Sequence, residues 1–374
     1  MKAGILAEIR FWSAVAAVIV VMAGSAPLVA AEIRYAVTGL GTLGGTQSWA
    51  NGVNDTGQVV GWARTAAGVR HAFVYSNGVM TDLGSLGSGD SIAYAINDSG
   101  QVVGQTSMSG GAIRAFVCQD GVMVALGTFG GQNSSASAIN SLGRIAGWAQ
   151  DYRDSSYHAR AFLYQDGTMT DLGTLGGVVS QASGINNTGQ IVGHAYLPAS
   201  SVNRAFIYSH GVMSDLGPLV GSHSQATGIN NSAQVAGYFL ASAPRNHAFL
   251  LTEGGFTDIG TFGGSHSFAW GINNLGQVVG KAADGSNADR AFLYSDGSMI
   301  DLNTLIDPAC GWTLMSAQAI NDRGQIAGYG LAPGSVYPSY QAFLLTPVPE
   351  PATMGLLGLG VLSLVARRRR PSDG

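Results

Sequence analysis

The chain has 374 residues, of which 55 are glycine, 46% are hydrophobic and only 11% are charged, and its formal net charge is −4. Glycine and proline together stay below the ~25–30% share that marks a disordered chain, and the hydrophobic content is sufficient for a large core. The acidic balance and the scarcity of basic residues argue against a nucleic-acid-binding surface.

The first 31 residues have the features of a secretory signal peptide. Lys2 and Arg10 precede an apolar run from Phe11 to Ala23, and the small residues Val29–Ala31 offer a cleavage site. We therefore predict that residues 1–31 are removed on export.

The rest of the chain repeats one pattern seven times. Each repeat is anchored by an asparagine, and the anchors are spaced by 43 to 48 residues. The anchors are Asn54, Asn97, Asn140, Asn186, Asn230, Asn273 and Asn321. An alanine stands four residues before every anchor, and glycine or alanine stands two residues before it. This alternation of very small and variable residues predicts a strand that lies close to another backbone.

Each of the first six repeats contains four strand signals separated by turns. In the first repeat a tight turn at Asn54–Gly57 leads to the strand Gln58–Gly61, and a longer connection leads to the strand His71–Tyr75. A second tight turn at Ser76–Gly78 leads to a fourth strand, Val79–Gly84. Four short antiparallel strands linked in order form one blade of a β-propeller.

The two ends of the repeat array complement each other. The seventh repeat stops after its third strand, Gln341–Leu345, while Tyr35–Gly41 has the pattern of a fourth strand with no blade before it. We predict an all-β fold, a seven-bladed propeller over residues 32–346 that is closed by its N-terminal strand. The alternatives are a β-solenoid or paired β-sandwiches.

The predicted propeller has two unequal faces. The tight turns share one face, and the variable second-to-third connections and blade crossings share the other, which is the candidate binding surface. The residue after the second-strand glycine is aromatic or imidazole in five repeats, namely Trp62, Trp148, His194, Tyr238 and Tyr329, with Gln105 and Lys281 in the other two. First strands add the ring-bearing candidates Trp49, Tyr94, Phe268 and Trp270. These rings either stack on sugars or pack against neighbouring blades.

Catalytic chemistry has weak support in the sequence. Asp151, Asp154 and His158 in the third repeat could in principle bind a metal or act as acid and base, but a solvated loop is the favoured interpretation. We therefore predict no enzymatic activity, no cofactor and no metal. Cys118 and Cys310 are expected to remain separate thiols, because they lie in distant blades.

The C-terminal region has three parts. Pro349, Glu350 and Pro351 are followed by an apolar stretch at residues 354–366 and then by Arg367, Arg368, Arg369 and Arg370. Residues 347–374 resemble the PEP-CTERM sorting signal of Gram-negative bacteria. The resemblance implies processing by an exosortase-type enzyme, transient membrane anchoring through residues 354–366, and a final location at the cell surface or in the extracellular matrix.

The repeats resemble the HAF family of extracellular repeats, whose motif stands here as His71–Phe73 and His247–Phe249. That resemblance implies a location but no reaction. We expect an exported, monomeric, non-catalytic binding or structural module in the cell envelope or biofilm matrix, with exopolysaccharide or envelope proteins as partners. The alternative is a secreted propeller hydrolase or lyase that acts on glycans.

Overall fold

The computed structural model describes residues 34–152, 158–198, 200, 202–220, 223–242, 245–335 and 339–348. The compact unit within this range spans Tyr35–Val348. The predicted signal peptide and the sorting residues from Pro349 onward lie outside the described residues.

The described chain forms 28 strands arranged in seven four-stranded sheets. The first strand of each blade is β2 (Gly44–Val53), β6 (Ser91–Ile96), β10 (Gly130–Ile139), β14 (Ser180–Ile185), β18 (Ser224–Ile229), β22 (Gly263–Ile272) or β26 (Thr313–Ile320). The second is β3 (Val59–Thr65), β7 (Val102–Ser107), β11 (Ile145–Asp151), β15 (Ile191–Tyr196), β19 (Val235–Ser242), β23 (Val278–Asp284) or β27 (Ile326–Leu331). The third is β4 (Arg70–Ser76), β8 (Ile113–Gln119), β12 (His158–Gln165), β16 (Asn203–Ser209), β20 (Arg245–Thr252), β24 (Asp289–Ser295) or β28 (Gln341–Val348). The fourth is β5 (Val79–Asp82), β9 (Val122–Ala125), β13 (Thr168–Asp171), β17 (Val212–Asp215), β21 (Gly255–Gly260), β25 (Ser298–Asp301) or, in the seventh blade, β1 (Arg34–Gly41).

Helical structure is confined to short segments of the described chain. Helix α1 spans Gly217–Val220, and two 3-10 turns at Leu302–Thr304 and Pro308–Cys310 occupy the crossing from the sixth blade to the seventh. Among the described residues, no helix has the length and apolar character needed to span a membrane.

The ring is closed by its first strand, as the sequence predicts. The seventh sheet has the order β1-β28-β27-β26, so the leading strand supplies the fourth strand of the last blade. The prediction of a seven-bladed β-propeller with four-stranded antiparallel blades is therefore confirmed. Tyr35 and Leu40 of β1 are each 5% exposed, so this strand also contributes to the core.

The core consists of seven hydrophobic clusters, one between each pair of adjacent blades. The phenylalanine of every third strand is completely buried there: Phe73, Phe116, Phe162, Phe206, Phe249, Phe292 and Phe343. Cys118 takes the place that Tyr75 has in the first blade, as expected from the repeat register, and both cysteines are free. Because each blade packs on its neighbours, the array buries a core that no single blade could form.

The small residues of the repeat let strands approach each other closely. A Cβ atom on Gly61 would lie 1.8 Å from the carbonyl oxygen of Trp49 on the neighbouring strand. No side chain fits at that distance, so glycine is required directly before Trp62 and before the equivalent residue of each other blade.

The seven anchor asparagines form a closed circle of hydrogen bonds. Each Nδ2 donates to the backbone carbonyl of the next anchor, over distances of 2.8 to 3.1 Å, from Asn54 round to Asn321 and back to Asn54. Each side chain also caps its own turn, as when Asn54 Oδ1 accepts from the backbone N–H of Gln58 at 2.9 Å. The sequence predicts the cap, whereas the link between blades emerges only from the closed ring.

A second circle lies one residue further along. The backbone N–H after an anchor donates to the side-chain oxygen at the same place in the next blade, as from Asp55 to Asp98 at 2.8 Å. Six of the seven links are formed. Within the described residues the circle is interrupted between Asp98 and Ser141, because the serine hydroxyl is shorter than a carboxylate or amide.

A buried serine joins successive blades. Ser91 Oγ donates to the carbonyl of Gly84 at 2.5 Å and accepts from the backbone N–H of Ala72 at 2.8 Å. Six first strands carry such a serine: Ser48, Ser91, Ser134, Ser180, Ser224 and Ser267. The seventh blade has Met315 at the same distance from its anchor.

The first residue of the His-Ala-Phe motif pairs with the aspartate of the fourth strand. His71 Nδ1 lies 2.9 Å from Asp82 Oδ2, and His247 makes the same contact with Asp258. Asp82 also accepts from the backbone N–H of Gly84 at 2.7 Å. These aspartates therefore have a hydrogen-bonding role at the sheet edge.

Candidate functional site

A bulge in each first strand turns one residue into the central channel. In all seven blades the pairing with the second strand shifts register after the alanine that stands four residues before the anchor, for example between Ala50 and Gly52. The bulged residues that line the channel are Asn51, Tyr94, Ser137, Ser183, Thr227, Trp270 and Gln318. The fold fixes the backbone at this place, and the side chain differs between blades.

On the face that carries the second-to-third connections, the channel widens into a depression of about 410 Å³, the central depression. Its aromatic lining is Tyr94, Trp148 and Trp270, and its amide lining is Asn51, Gln105, Gln181, Gln225 and Gln318. Hydroxyl groups come from Ser135, Ser137, Ser183 and Thr227. Among the described residues that line this central depression, none carries a charge.

A ring of aliphatic side chains lines the channel below the depression. The aliphatic residue before each anchor, Val53 in the first blade and isoleucine in the other six, lines the turn-face end of the channel. Six of these residues also line the inner part, which has a volume of about 230 Å³. An aliphatic collar thus separates the polar depression from the turn face.

The aromatic side chains of the central depression come from opposite sides of the ring. Tyr94 and Trp148 belong to adjacent blades, the second and third, and Trp270 belongs to the sixth. In a ring of seven blades the sixth lies across the channel from the second and third. The rings therefore form two walls with amide groups between them.

Neighbouring rings hold Trp270 in place. Its indole stacks on Phe268 with an interplanar angle of 4° and a centroid distance of 5.5 Å. Tyr238 meets Phe268 edge-on at 4.9 Å and Trp270 at 6.0 Å. Lys281 Nζ lies 5.5 Å from the centroid of Phe268. Such contacts restrict the orientation of the tryptophan wall.

Three amides that line the central depression have one end already bonded to the protein. Tyr238 Oη donates to Gln225 Oε1 at 2.6 Å. Gln318 Nε2 donates to Ser316 Oγ at 2.7 Å, and Asn51 Nδ2 donates to the carbonyl of Ala93 at 2.8 Å. Burial raises the pKa of Tyr238, so its hydroxyl remains a donor over the physiological range.

Other predicted ring residues form a separate group at the seam between the seventh and first blades. Trp49 stacks on Tyr329 with a centroid distance of 4.0 Å and an interplanar angle of 1°, and it contacts Trp62 at 5.6 Å. Tyr340 meets Tyr329 edge-on at 5.6 Å, and the guanidinium of Arg70 lies 5.6 Å from the Trp62 ring centroid. None of these five residues lines the central depression.

His194 stands directly after the second-strand glycine of the fourth blade, where several other blades carry an aromatic residue. Its Nδ1 is buried and has no hydrogen-bond partner in the described part of the protein, and burial lowers the pKa of His194 from 6.5 to about 4. The imidazole is therefore neutral at neutral pH. It lies opposite Gln181 on the neighbouring strand.

Asp151 and His158, the two described residues of the catalytic alternative, do not line the central depression. Asp151 is 6% exposed at the end of β11, opposite His158 on β12, and its Oδ2 lies 3.9 Å from Arg160 Nε. Asp154 lies outside the described residues. No group of three histidine, cysteine, aspartate or glutamate side chains in the described ranges could hold a metal ion.

Two histidines before the anchors bond to different partners. His266 Nε2 lies 2.8 Å from Asp289 Oδ1, and His223 Nδ1 lies 3.3 Å from Asn203 Oδ1. Burial alone would raise the pKa of Asp289, but hydrogen bonds from Lys281 and His266 outweigh it and lower that pKa.

The amide lining is what reasoning from the sequence missed. A signal was present for Asn51 and Gln318, because the residue three positions before the anchor varies strongly between uniform neighbours. Gln181 and Gln225 stand five positions before their anchors, where the residue also varies. A position whose residue differs between repeats, in a strand that is otherwise uniform, indicates a side chain that the fold does not require.

Several solved structures share the propeller architecture at low identity. The β-propeller domain of the Trilobed protease from Pyrococcus furiosus is 11% identical, with 67% of this chain and 82% of that one covered and a TM-score of 0.47. The Pyrococcus horikoshii acylaminoacyl peptidase is 14% identical, with 75% and 49% covered and a TM-score of 0.47. The gluconolactonase XC5397 from Xanthomonas campestris is 13% identical, with 85% and 95% covered and a TM-score of 0.42.

No curated protein matches the sequence. The family model of the PEP-CTERM protein-sorting motif matches residues 347–370. The chain thus combines a seven-bladed β-propeller with a C-terminal sorting signal that marks an exported protein.

Proposed function

We propose that the protein is a surface-displayed, non-catalytic β-propeller that binds an uncharged polysaccharide in the central depression. The observation that carries this proposal is the lining of the depression, where three aromatic rings stand among amides and hydroxyls without a charged side chain. Export and sorting supply the setting, and an exosortase-type enzyme processes the C-terminal signal.

The chemistry of the lining suits a sugar. A pyranose has apolar C–H faces, which pack on aromatic rings, and a rim of hydroxyls, which exchange hydrogen bonds with amides. Tyr94 and Trp148 on one side and Trp270 on the other provide such faces across the channel. An anionic or cationic polymer would lose its hydration here without meeting an opposite charge, which is unfavourable.

The non-catalytic part of the proposal also rests on the lining. Acid–base or nucleophilic catalysis needs a carboxylate, imidazole, thiol or activated hydroxyl at the bound ligand. The described lining offers amides, aromatic rings and unactivated serine and threonine hydroxyls. We therefore assign binding rather than turnover, with the protein acting as a monomer in the envelope or matrix.

Titration of the full chain with polysaccharides tests this proposal. Tryptophan fluorescence is followed during addition of neutral dextran, neutral glucomannan and anionic alginate, with wild-type protein and with Trp148→Ala. We expect a neutral polymer to bind and Trp148→Ala to weaken it at least about fivefold, since loss of a stacked ring costs about 1–3 kcal/mol.

Trp62→Ala is the matched control, because Trp62 follows the second-strand glycine as Trp148 does but lies outside the central depression. Its affinity should equal that of the wild type. Preference for alginate, or equal losses in the two variants, would contradict a neutral central site. Release of reducing sugar during the titration would contradict the non-catalytic assignment.

A further inference from the structure

The bound ends of three of the five lining amides give their part of the central depression a fixed hydrogen-bonding polarity. Gln225 accepts from Tyr238 through Oε1, so its NH2 group remains to donate. Gln318 and Asn51 donate through their nitrogens to protein oxygens, so their carbonyl oxygens remain to accept. The free donor belongs to the fifth blade and the free acceptors to the seventh and first.

We propose that Gln225 is the hydrogen-bond donor that recognises the glycan and that Tyr238 is the positioning residue that sets its orientation. The inference rests on the proposed function and names the chemistry of the same site. The ring of Tyr238 makes edge-on contacts with Phe268 and with Trp270, which lines the depression. Tyr238 therefore holds the Gln225 amide through its hydroxyl and contacts Trp270 through its ring, so that one residue positions both.

The polarity defines the ligand class more narrowly. An acceptor oxygen without a proton, such as a ring ether or an N-acetyl carbonyl, faces Gln225 on the fifth blade. Hydroxyl or amide protons face Gln318 and Asn51 on the adjacent seventh and first blades. A site that orients its amides in this way discriminates against an analogue that presents the opposite group, because a buried polar group is then left unpaired.

The experiment is a double-mutant cycle on the full chain. Binding of maltotetraose, cellotetraose and chitotetraose is measured by calorimetry for wild type, Gln225→Ala, Tyr238→Phe and the double variant. We expect Gln225→Ala to weaken the best-bound probe about tenfold and Tyr238→Phe to weaken it about threefold. In the Gln225→Ala background, Tyr238→Phe should have no further effect, because its role acts through the amide.

Gln225→Glu is the second variant and guards against a folding defect. Its carboxylate still accepts from Tyr238 but has no N–H to donate, so it should bind as weakly as Gln225→Ala while melting like the wild type. A Tyr238→Phe loss that persists in the Gln225→Ala background would show a general packing effect and overturn the positioning role. Full affinity in both Gln225 variants would overturn the donor assignment.

The failure of this inference is distinguishable from failure of the proposed function. If a probe binds and Trp148→Ala weakens it while both Gln225 variants bind normally, only the donor assignment is wrong. If none of the three neutral probes binds the wild type, the neutral-glycan site is wrong and the donor assignment falls with it.

Discussion

The side-chain Nδ2 of Asn321 donates to the backbone carbonyl of Asn54 at 2.8 Å, although the two residues are 267 positions apart in the chain. The same bond joins each of the six remaining pairs of adjacent anchors, so this contact is the last link of a closed circle. Asn321 is buried, at 5% exposure, and its Oδ1 caps the turn at Gln325. Ring closure is thus built into the residue that also shapes each blade.

Replacement of Asn321 by alanine should destabilise the propeller by about 2 kcal/mol. The change removes the link to Asn54 and the cap on Gln325, and it leaves a buried carbonyl and a backbone N–H unpaired. Urea denaturation of both proteins measures the effect. Ser141→Ala is the matched control, since Ser141 also follows an anchor but its exposed hydroxyl lies where the second circle is interrupted, and the change should cost less than about 0.5 kcal/mol. Equal stability of wild type and Asn321→Ala would contradict a closing role.

Deletion of residues 32–41 should lower stability by about 3–6 kcal/mol. The deleted strand β1 buries Tyr35 and Leu40, and each buried side chain of this size contributes about 1.5–3 kcal/mol. The exposed edge of β28 should then pair with other chains. Thermal melting and light scattering of this variant are compared with the chain that begins at residue 32. A deletion variant that melts like the longer chain would show that the ring is closed in another way.

Ser91→Ala should cost about 2 kcal/mol. The hydroxyl is completely buried and bonds both the Gly84 carbonyl and the Ala72 amide of the preceding blade, so its loss leaves two buried groups unpaired. Ser99→Ala, at an exposed turn, should change stability by less than about 0.5 kcal/mol. Chemical denaturation of the two variants provides the comparison, and similar values would mean that the buried serine does not join the blades.

His194 should make the propeller less stable in mild acid. Burial lowers the pKa of His194 from 6.5 to about 4, so between these values the unfolded chain binds a proton that the folded chain does not. Its contribution is complete above pH 6.5 and decreases as the pH falls toward 4, by up to about 3 kcal/mol. Denaturation midpoints over this pH range measure the slope.

His194→Gln is the control for that slope, because Gln105 stands at the same position in the second blade. The pairs His71 with Asp82 and His247 with Asp258 are present in both proteins, so their contributions cancel in the difference. Parallel pH profiles of wild type and His194→Gln would mean that the buried imidazole does not lower stability.

The sequence predicts the fold well because the fold depends on repeated residues. Gly61 and Phe73 have equivalents in every blade, and each is required by a close contact or by the core. The closing strand is also predictable, since Tyr35–Gly41 carries a pattern that the last blade lacks.

The candidate site is less predictable because it depends on residues that the fold leaves free. Trp62 and Trp148 have the same register and the same residue type, yet one packs at a blade seam and the other lines the central depression. The difference comes from cross-strand partners, Trp49 in the first blade and Ser135 in the third. A bulky partner occupies the space beside Trp62, whereas a small one leaves Trp148 accessible. The orientation of Gln225 likewise depends on a tertiary contact with Tyr238.

A crystal structure of the exported protein soaked with a bound neutral oligosaccharide tests the central claim most directly. The account predicts sugar density in the central depression, between the Trp148 and Trp270 walls and within hydrogen-bonding distance of Gln225. Sugar density at the Trp49 and Tyr329 seam, or on the turn face, with the depression free of sugar would contradict it.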